Sequence, residues 1–503
     1  MNKTAKPKIL LFRNIFNSPD KEKNQWVSPG TLYLASSLKR AGFRVVFSDS
    51  KISLEEDEFI TGKKELEKIL KDNPDINFIG ISLCEDFFEK AQKLIEFLRK
   101  RTDAFIGVGG VMPTLTPEHV FVHLPGINFL VRGAGEFIFP ALVKILAGKN
   151  INSRLDKKEK DKLCKLQGFA FRNKYYSVWS SLGEINKLRD YDRSVLDFSF
   201  LNKDDLTEGL NLFTSRGCFN NCFFCTTPGK GEYIAKSFAN LKKILKDYHK
   251  RLKTIFGNEI PAYAFNLSFN DDDFLADSKR VLDFFSYLGN SPFRINFFQT
   301  GINSFFKMKN GRYTNEINRK LLNGFSPLIF SSDKSSVYIG TENFCDSELA
   351  RLGKGYDFSR VEKVVDALAK KQIYQVHHFI ASNQLTTPQD LLDNLIKIAI
   401  LKIRYGEYFK ILVPIIPYLV SFYPSASYKI ALTKKREKFL NIKRVLSLKG
   451  QPKYDYPLVA NDIPMSAVTR KIIPILYNLF LNERDYAKIL GTALEYFKQW
   501  KRK

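Results

Sequence analysis

The stretch Thr214-Ser215-Arg216-Gly217-Cys218-Phe219-Asn220-Asn221-Cys222-Phe223-Phe224-Cys225-Thr226-Thr227 organises this chain. Its three cysteines are spaced C-x3-C-x2-C. Thiolates this close in sequence converge only if the backbone wraps around a common centre. A structural zinc site takes four ligands, and no fourth Cys or His is near; the next His is His249. Three thiolates suit a [4Fe-4S] cluster with one iron left open, because Cys is the usual ligand of such clusters. An open iron binds something else, which implies chemistry rather than scaffolding. The bland alternative is a zinc knuckle, or chance spacing in a reduced cytosolic protein.

The rest of the chain is large enough to house such a site. Its 503 residues, 44% of them hydrophobic, allow two to four domains. The other cysteines, Cys84, Cys164 and Cys345, are scattered, so no disulfide framework is expected and a reducing cytoplasm fits. Met1 to Leu11 is short, basic and then strand-like, unlike a signal or transit peptide. The most apolar segment, Ile411 to Tyr423, contains Pro414 and Pro417 and is too short to span a bilayer. The net charge of +26 has two readings, an anionic partner or lysines spread over solvated faces. The dispersal of the lysines favours the second. Nucleic acid is therefore not expected as a partner, while peripheral contact with a membrane surface, and lipid or RNA substrates, stay open.

Residues 1–150 read as alternating strands and helices. Strands are expected at Lys8–Phe12, Arg44–Phe47, Phe78–Leu83, Phe105–Val108 and Asn128–Val131, with helices at Leu32–Ala41 and Phe87–Arg99. That alternation implies a doubly wound parallel sheet. Ligands of such sheets bind beyond the carboxyl ends of the strands. Ser82, Gly109, Gly110, Gly133 and Gly135 fall there, and glycine lets a ligand approach the backbone. His119 and His123 share a helix after Pro117 and read as surface or packing residues. Residues 151–205 form a linker with a charged segment, Ser153–Lys162, and a hairpin over Gly168–Tyr176 turning at Asn173-Lys174.

Residues 206–430 contain six strand patterns: Asn211–Thr214, Tyr263–Phe269, Arg294–Gln299, Ser336–Gly340, Gln375–Ile380 and Lys410–Pro414. Helical patterns lie between them at Phe238–Arg251, Ser278–Leu288, Thr314–Leu322, Phe358–Lys371 and Pro388–Ile400. Six β-α units imply a partial (β/α)6 barrel with its site at the carboxyl ends of the strands. Strand two ends in Asn270-Asp271-Asp272-Asp273, whose carboxylates must face cations, donors or water; Asp273 alone reads as a helix N-cap. Strand three ends at Gln299 and strand four at Gly340-Thr341-Glu342. Strand five carries His377-His378, one of which points into the barrel by alternation. Arg351 and Lys354 read as surface residues. Residues 431–503 form a basic helical extension over Lys434–Leu448, Val468–Phe480 and Asp485–Trp500, read as a cap on the site.

The cysteine motif resembles that of the radical S-adenosylmethionine (SAM) enzymes, with Arg216-Gly217 ahead of it, although Phe219 stands where many relatives carry Pro. The N-terminal region resembles the cobalamin-binding domain of the B12-type subfamily. It does so in Ser28-Pro29-Gly30-Thr31-Leu32-Tyr33-Leu34-Ala35, Gly80-Ile81-Ser82, Val108-Gly109-Gly110-Val111-Met112-Pro113-Thr114 and Arg132-Gly133-Ala134-Gly135-Glu136. The D-x-H-x-x-G motif, whose His ligates cobalt, is absent. The resemblance implies that Cys218, Cys222 and Cys225 hold a [4Fe-4S] cluster and that its open iron takes SAM. Phe224 would lie near the adenine, Asp271 and Asp272 near the SAM ammonium, Gln299 in the same cavity and Glu342 on the ribose. Ser82, Gly109, Gly110 and Gly133 would line a cobalamin site.

The implied reaction is cleavage of SAM to a 5'-deoxyadenosyl radical, followed by cobalamin-dependent methyl transfer to an unactivated carbon. A cyclase or rearrangement enzyme of the same subfamily is the alternative, and a metal-dependent basic RNA-binding protein is the non-enzymatic one. The resemblance also implies an external electron donor such as flavodoxin or ferredoxin. The substrate, a small molecule or a peptide, and the catalytic side chains stay unnamed.

Overall fold

A computed structural model describes residues 6–13, 27–49, 51–52, 60–61, 63–84, 88–179, 191–227, 230–329, 336–380, 383, 386–412, 420–422, 459–461, 491 and 495. The chain divides into two compact units, Met1–Glu208 with Lys243–Ala264, and Gly209–Lys242 with Phe265–Lys503. Lys243–Ala264, which the sequence reading grouped with the barrel, goes with the first unit. The expected helices Lys434–Leu448 and Val468–Phe480, nearly all of Asp485–Trp500, and Pro414 and Pro417 lie outside the described residues.

The first unit is built on β1 (Lys8–Phe12), β2 (Arg44–Ser48), β3 (Ile76–Ser82), β4 (Phe105–Gly109), β5 (Phe129–Val131), β6 (Phe169–Arg172) and β7 (Ser177–Trp179). They form one sheet in the order β2-β1-β3-β4-β5-β6-β7. The first five pair in parallel, and β6 and β7 are antiparallel. The order 2-1-3-4-5 is that of a doubly wound sheet, with its switch point between β1 and β3. The expected hairpin is present, but it extends the sheet, with Phe129 opposite Phe171. Its turn is held by the Asn173 carboxamide, which accepts from the backbone N–H groups of Tyr175 and Tyr176.

The helices are α1 (Pro29–Arg40), α2 (Lys63–Asp72), α3 (Phe88–Arg99), α4 (Val111–Leu115), α5 (Pro117–His123), α6 (Gly135–Ile145), α7 (Lys157–Cys164) and α8 (Lys203–Thr207). Pro29 opens α1 at a position where its missing N–H costs nothing, and Gly42 follows the helix with φ 91°. Asp156 and Glu159 close a capping box on α7. β1, β3, β4 and β5 bury both faces, as a parallel sheet covered on both sides requires. One face is a Phe cluster: Phe78, Phe105, Phe129, Phe139, Phe169 and Phe171 are all buried with Leu38 of α1 and Leu142 of α6. Each buried Phe contributes roughly 1.5–3 kcal/mol.

The second unit holds β8 (Leu210–Leu212), β9 (Ser215–Gly217), β10 (Tyr233–Ala235), the start of α9 (Phe238–Phe256), whose remainder from Lys243 on goes with the first unit, β11 (Asn266–Phe269), α10 (Ser278–Gly289), β12 (Arg294–Thr300), β13 (Phe306–Lys309), β14 (Arg312–Ile317), α11 (Arg319–Phe325), β15 (Ser336–Glu342), α12 (Asp346–Arg351), α13 (Phe358–Ala369), β16 (Gln375–Phe379), α14 (Pro388–Tyr405) and β17 (Phe409–Leu412). Six strands form a parallel sheet in the order β8-β11-β12-β15-β16-β17, the partial (β/α)6 barrel read from the sequence. Alternation sorts its side chains. Leu267, Phe269, Ile295, Phe298, Val337 and Ile339 are buried, whereas Asn211, Ser268, Phe297, Gln299, Tyr338 and His378 on the opposite face are half-buried. The sheet thus presents a polar and aromatic inner face.

Two readings are corrected. Thr314–Leu322 is not a helix, since β14 pairs antiparallel with β13 and α11 begins only at Arg319. The cause is Asn310-Gly311, whose φ values of 50° and 72° make the two-residue turn that matches strand twist. Tyr263–Phe269 becomes a strand only at Asn266, after a 3-10 turn over Ala262–Phe265. Among the described residues no helix is long and apolar enough to cross a membrane.

Candidate functional site

The cysteine loop follows from its flanks. β9 and β10 pair antiparallel, with Ser215 opposite Ala235 and Gly217 opposite Tyr233. Gly217 takes φ 79°, which turns the chain into the loop. Gly231 N–H donates to the Cys218 carbonyl at 2.8 Å, and the Lys230 ammonium reaches the carbonyls of Cys222 and Cys225. From the other side Phe223 N–H donates to the Leu352 carbonyl at 3.1 Å.

The sulfurs receive donors. Cys218 Sγ accepts from the Asn220 backbone at 3.4 Å and from its carboxamide at 3.2 Å, and Cys225 Sγ accepts from Thr227 N–H at 3.4 Å. Burial pushes the Cys218 thiol up to about 12, with Asp273 adding to the effect, and burial also raises Cys222. Neither thiol would ionise at neutral pH by itself; a bound cationic group would have to hold both as thiolates. Among the described residues no group of three His, Cys, Asp or Glu side chains converges as the ligands of one metal ion do. The donor set is three cysteines, one ligand short of a structural zinc site, and two of the sulfurs take N–H donors. Cysteine is the usual ligand of a [4Fe-4S] cluster, whose potential such hydrogen bonds tune, so the three residues fit a cluster by their chemistry.

The carboxylates at the end of β11 sit on a closed turn. Phe269 and Phe274 stack with centroids 4.3 Å apart and an interplanar angle of 6°, so Asn270–Asp273 must loop out between them. Phe274 N–H closes the turn onto the Gln299 carbonyl at 2.9 Å. The three Asp residues then diverge. Asp271 is buried and accepts from Thr214 N–H at 2.6 Å, from the Thr214 hydroxyl and from the Ser215 hydroxyl at 2.8 Å. It braces the entry to the cysteine loop, and its oxygens are spent on that task. The expectation that it meets SAM is corrected on that ground. Asp273 is buried too and accepts from Thr300 at 2.6 Å, Ser304 at 2.8 Å and Gly301 N–H at 3.3 Å. It is not an N-cap; Asp277 caps α10. Asp272 accepts from Gly217 N–H at 2.9 Å and is half-buried. Burial raises its carboxyl to about 6. Of the three it is the one with capacity for a ligand.

Gln299 lies on the inner face beside Tyr338. Glu342 ends β15 at φ 67°, a conformation that L side chains rarely adopt, across an irregular step in the β15–β16 ladder. Strain of this kind is tolerated where the surroundings hold it and concentrates at functional sites. The two histidines separate. His377 is buried on the outer face, with Nδ1 2.6 Å from Thr341 Oγ1 and Nε2 2.9 Å from Gln375 Oε1. Burial lowers its pKa to about 3. His378 faces inward with its ring 5.9 Å from Tyr338, its pKa also lowered by burial, and its Nε2 has no hydrogen-bond partner among the described residues.

Lys354, read from the sequence as a surface residue, is buried with Nζ 3.8 Å from Glu342 Oε1 and 5.7 Å from the Phe224 ring centroid. Arg351, read likewise, is half-buried and pairs with Glu348 and with Asp390 at 2.7 Å. The signal that singles Lys354 out is its setting between Gly353 and Gly355, both at positive φ. Tyr313 was missed as well. It belongs to β14, and burial raises its pKa with help from the charges of Asp273 and Cys218, so it lies close to the cysteine loop.

In the first unit the expected residues gather at strand ends. Ser82 and Gly109 are neighbours across β3 and β4, and Ser82 is exposed. A Cβ on Gly110, whose φ is 104°, would lie 2.9 Å from the Leu83 carbonyl and 3.0 Å from Ser82 Oγ. Gly133 N–H donates to Thr114 Oγ1 at 2.9 Å, which ties the end of β5 to α4. His119 is buried with its ring 4.3 Å from that of His123 and tilted by 38° to it, a packing role. At Ser82, Gly109, Gly110 and Gly133 nothing larger than Ser stands beside the backbone, which suits a ligand that approaches it closely, and cobalamin fits these positions on that ground.

Residues 21–143 match the B12 binding domain family. An uncharacterized methyltransferase of Pyrococcus horikoshii is 26% identical over 228 residues, 44% of this chain and 44% of that protein. The anaerobic magnesium-protoporphyrin IX monomethyl ester cyclase of Synechocystis sp. is 26% identical over 211 residues, 41% of this chain and 39% of that protein. The chain thus spans less than half the length of these curated relatives. Among solved structures, the cobalamin-dependent SAM radical enzyme OxsB superposes with a TM-score of 0.69 at 15% identity, covering 99% of this chain and 72% of that one. The radical SAM methyltransferase TsrM from Kitasatospora setae does so with a TM-score of 0.56 at 15% identity, covering 79% and 72%. By that match residues 21–143 form a domain of the B12-binding type, and by that superposition the chain shares the fold of OxsB.

Proposed function

We propose that the chain is a radical SAM enzyme in which Cys218, Cys222 and Cys225 hold a [4Fe-4S] cluster, and that it transfers a methyl group to an unactivated carbon with the help of cobalamin. The observation that carries the reading is the partly buried cysteine loop, two of whose sulfurs accept N–H donors, beside Asp272 and Glu342 at the strand ends. When bound, these groups supply hydrogen abstraction from carbon and a transferable methyl group. The chain supplies position and electrostatics. Asp271 and Asp273 hold the loop and the end of β12 in place. Asp272 and Glu342 offer carboxylates to the ammonium and ribose of SAM, Phe224 offers a ring to its adenine, and Gln299 a further polar contact. Ser82, Gly109, Gly110 and Gly133 keep side chains away from the cobalamin. An external one-electron donor such as flavodoxin or ferredoxin, and a reducing cytoplasm, complete the reading.

The test is anaerobic reconstitution. About four irons per chain, with release of methionine and 5'-deoxyadenosine after reduction, is the expected result; zinc without iron would sink the proposal. Cobalamin and SAM with a deuterated methyl group should then give a labelled product. A second reading, cyclisation or rearrangement without methyl transfer, is favoured by the similarity to the Synechocystis cyclase. A product without label identifies it.

A further inference from the structure

We propose that Lys354 is a positioning residue for the cluster's charge: its buried ammonium, placed between Glu342 and the cysteine loop, holds the reduction potential of the cluster above the value it would otherwise have. This rests on the reading that Cys218, Cys222 and Cys225 hold a [4Fe-4S] cluster.

The backbone delivers Lys354 to this place. α12 ends in a Schellman motif, with Lys354 N–H donating to the Leu349 carbonyl at 3.0 Å and Gly353 N–H to the Ala350 carbonyl at 3.0 Å. Gly353 takes the left-handed conformation at φ 67° that this cap requires. The same helix end presents the Leu352 carbonyl to Phe223 N–H, so the cap and the cysteine loop are tied together. A Cβ on Gly353 would lie 3.5 Å from Phe223 N, which measures how close the two backbones run. The residue after the left-handed position in such a cap usually makes an apolar contact with the helix. Here it is a lysine.

Its local partners do not account for it. An ammonium has three donors, and the Glu342 carboxylate at 3.8 Å is beyond hydrogen-bonding distance. Tyr356, whose hydroxyl lies 3.2 Å from the carbonyls of Gly340 and Thr341, offers one oxygen nearby. The Lys354 ammonium also stands 5.7 Å from the ring centroid of Phe224, which lies between Cys222 and Cys225, so its charge sits against the cysteine loop. A cation fixed in a low-dielectric setting stabilises whichever state of its neighbour is more negative. For a cluster that is the reduced state, formed by one electron from an external donor with no bond made or broken, and net charge is among the factors that set such potentials.

The test is the midpoint potential of the reconstituted cluster, followed by electron paramagnetic resonance without SAM or substrate, so that a role in ligand binding does not enter. Lys354→Met keeps the length and removes the charge, and its midpoint should move to a more negative value. Lys354→Arg should stay near wild type. Glu342→Gln removes the opposing carboxylate and should move the midpoint the other way. Equal midpoints in wild type and Lys354→Met, each with full iron content, would overturn the inference and leave the proposed function standing. If Lys354→Met fails to hold iron, an unchanged midpoint in Glu342→Gln overturns it instead. A wild-type chain that binds no cluster overturns both.

Discussion

The two parallel sheets carry their candidate ligand groups at equivalent places, the carboxyl ends of the strands, yet they prepare those places in opposite ways. In the first unit the ends are emptied: Ser82, Gly109, Gly110 and Gly133 remove side chains so that backbone can meet a ligand. In the second the ends are filled with buried charged groups: Asp271 and Asp273 follow β11 and accept hydrogen bonds from the protein itself, and Lys354 is buried beside Glu342 at the end of β15. An emptied site is sensitive to added bulk and tolerant otherwise. A filled one is sensitive to any loss of charge or donor, because the partners left behind are buried.

Substitutions can break that contrast. The largest effect is expected for Cys218→Ser, Cys222→Ser and Cys225→Ser, each of which should abolish iron binding and SAM cleavage, as measured by iron content and release of 5'-deoxyadenosine. Retention of about four irons in any of them would remove that cysteine from the ligand set. Asp271→Asn comes next. The carboxamide nitrogen would face at least one of the donors on Thr214 and Ser215, and the loss should be about 3 kcal/mol in urea unfolding of the second unit.

The paired histidines sharpen the comparison within one strand. His377→Phe should cost about 2–3 kcal/mol, since Thr341 and Gln375 each lose a buried partner. The pH dependence follows its sign. The folded pKa is about 3, below the unfolded value of about 6.5, so the unfolded chain binds the extra proton between these values. The stability held by neutral His377 is therefore complete above pH ~6.5 and lost as pH falls towards 3. Unfolding midpoints across that range should slope less steeply in His377→Phe than in wild type. His378→Phe should leave stability within about 1 kcal/mol, because its Nε2 has no partner among the described residues, and should lower turnover instead. A variant that unfolds like His377→Phe would place His378 in the core.

The smallest effect belongs to the emptied sheet. A Cβ on Gly109 would meet only the Val131 carbonyl, at 3.6 Å. Gly109→Ala should leave the unfolding curve unchanged and weaken cobalamin binding about tenfold, some 1.4 kcal/mol, as read from spectral titration. Unchanged affinity would move the cobalamin away from this strand end.

Much of this was legible beforehand. Phe-rich strands alternating with helices announced both sheets, because burial on both faces demands continuous apolar runs. The C-x3-C-x2-C spacing marked the loop. What misled was local: Thr314–Leu322 has helical spacing, but Asn310-Gly311 just before it dictated a hairpin, a turn signal stronger than the periodicity that follows it. Lys354 looked like one more surface lysine in a chain of net charge +26. Its burial depends on a helix cap, on Glu342 at the end of the preceding strand and on the cysteine loop, which is far from it in sequence.

The sequence by itself determined the two sheets, the three cysteines and the row of acids, because hydrophobic period, ligand spacing and turn chemistry are local properties. Only the tertiary structure decided which acid braces and which stays available, which histidine is core and which faces inward, and that a lysine is buried beside the cysteines. Those distinctions depend on burial and on partners brought together across the fold, and a charged group's behaviour is set by the partners and the dielectric around it.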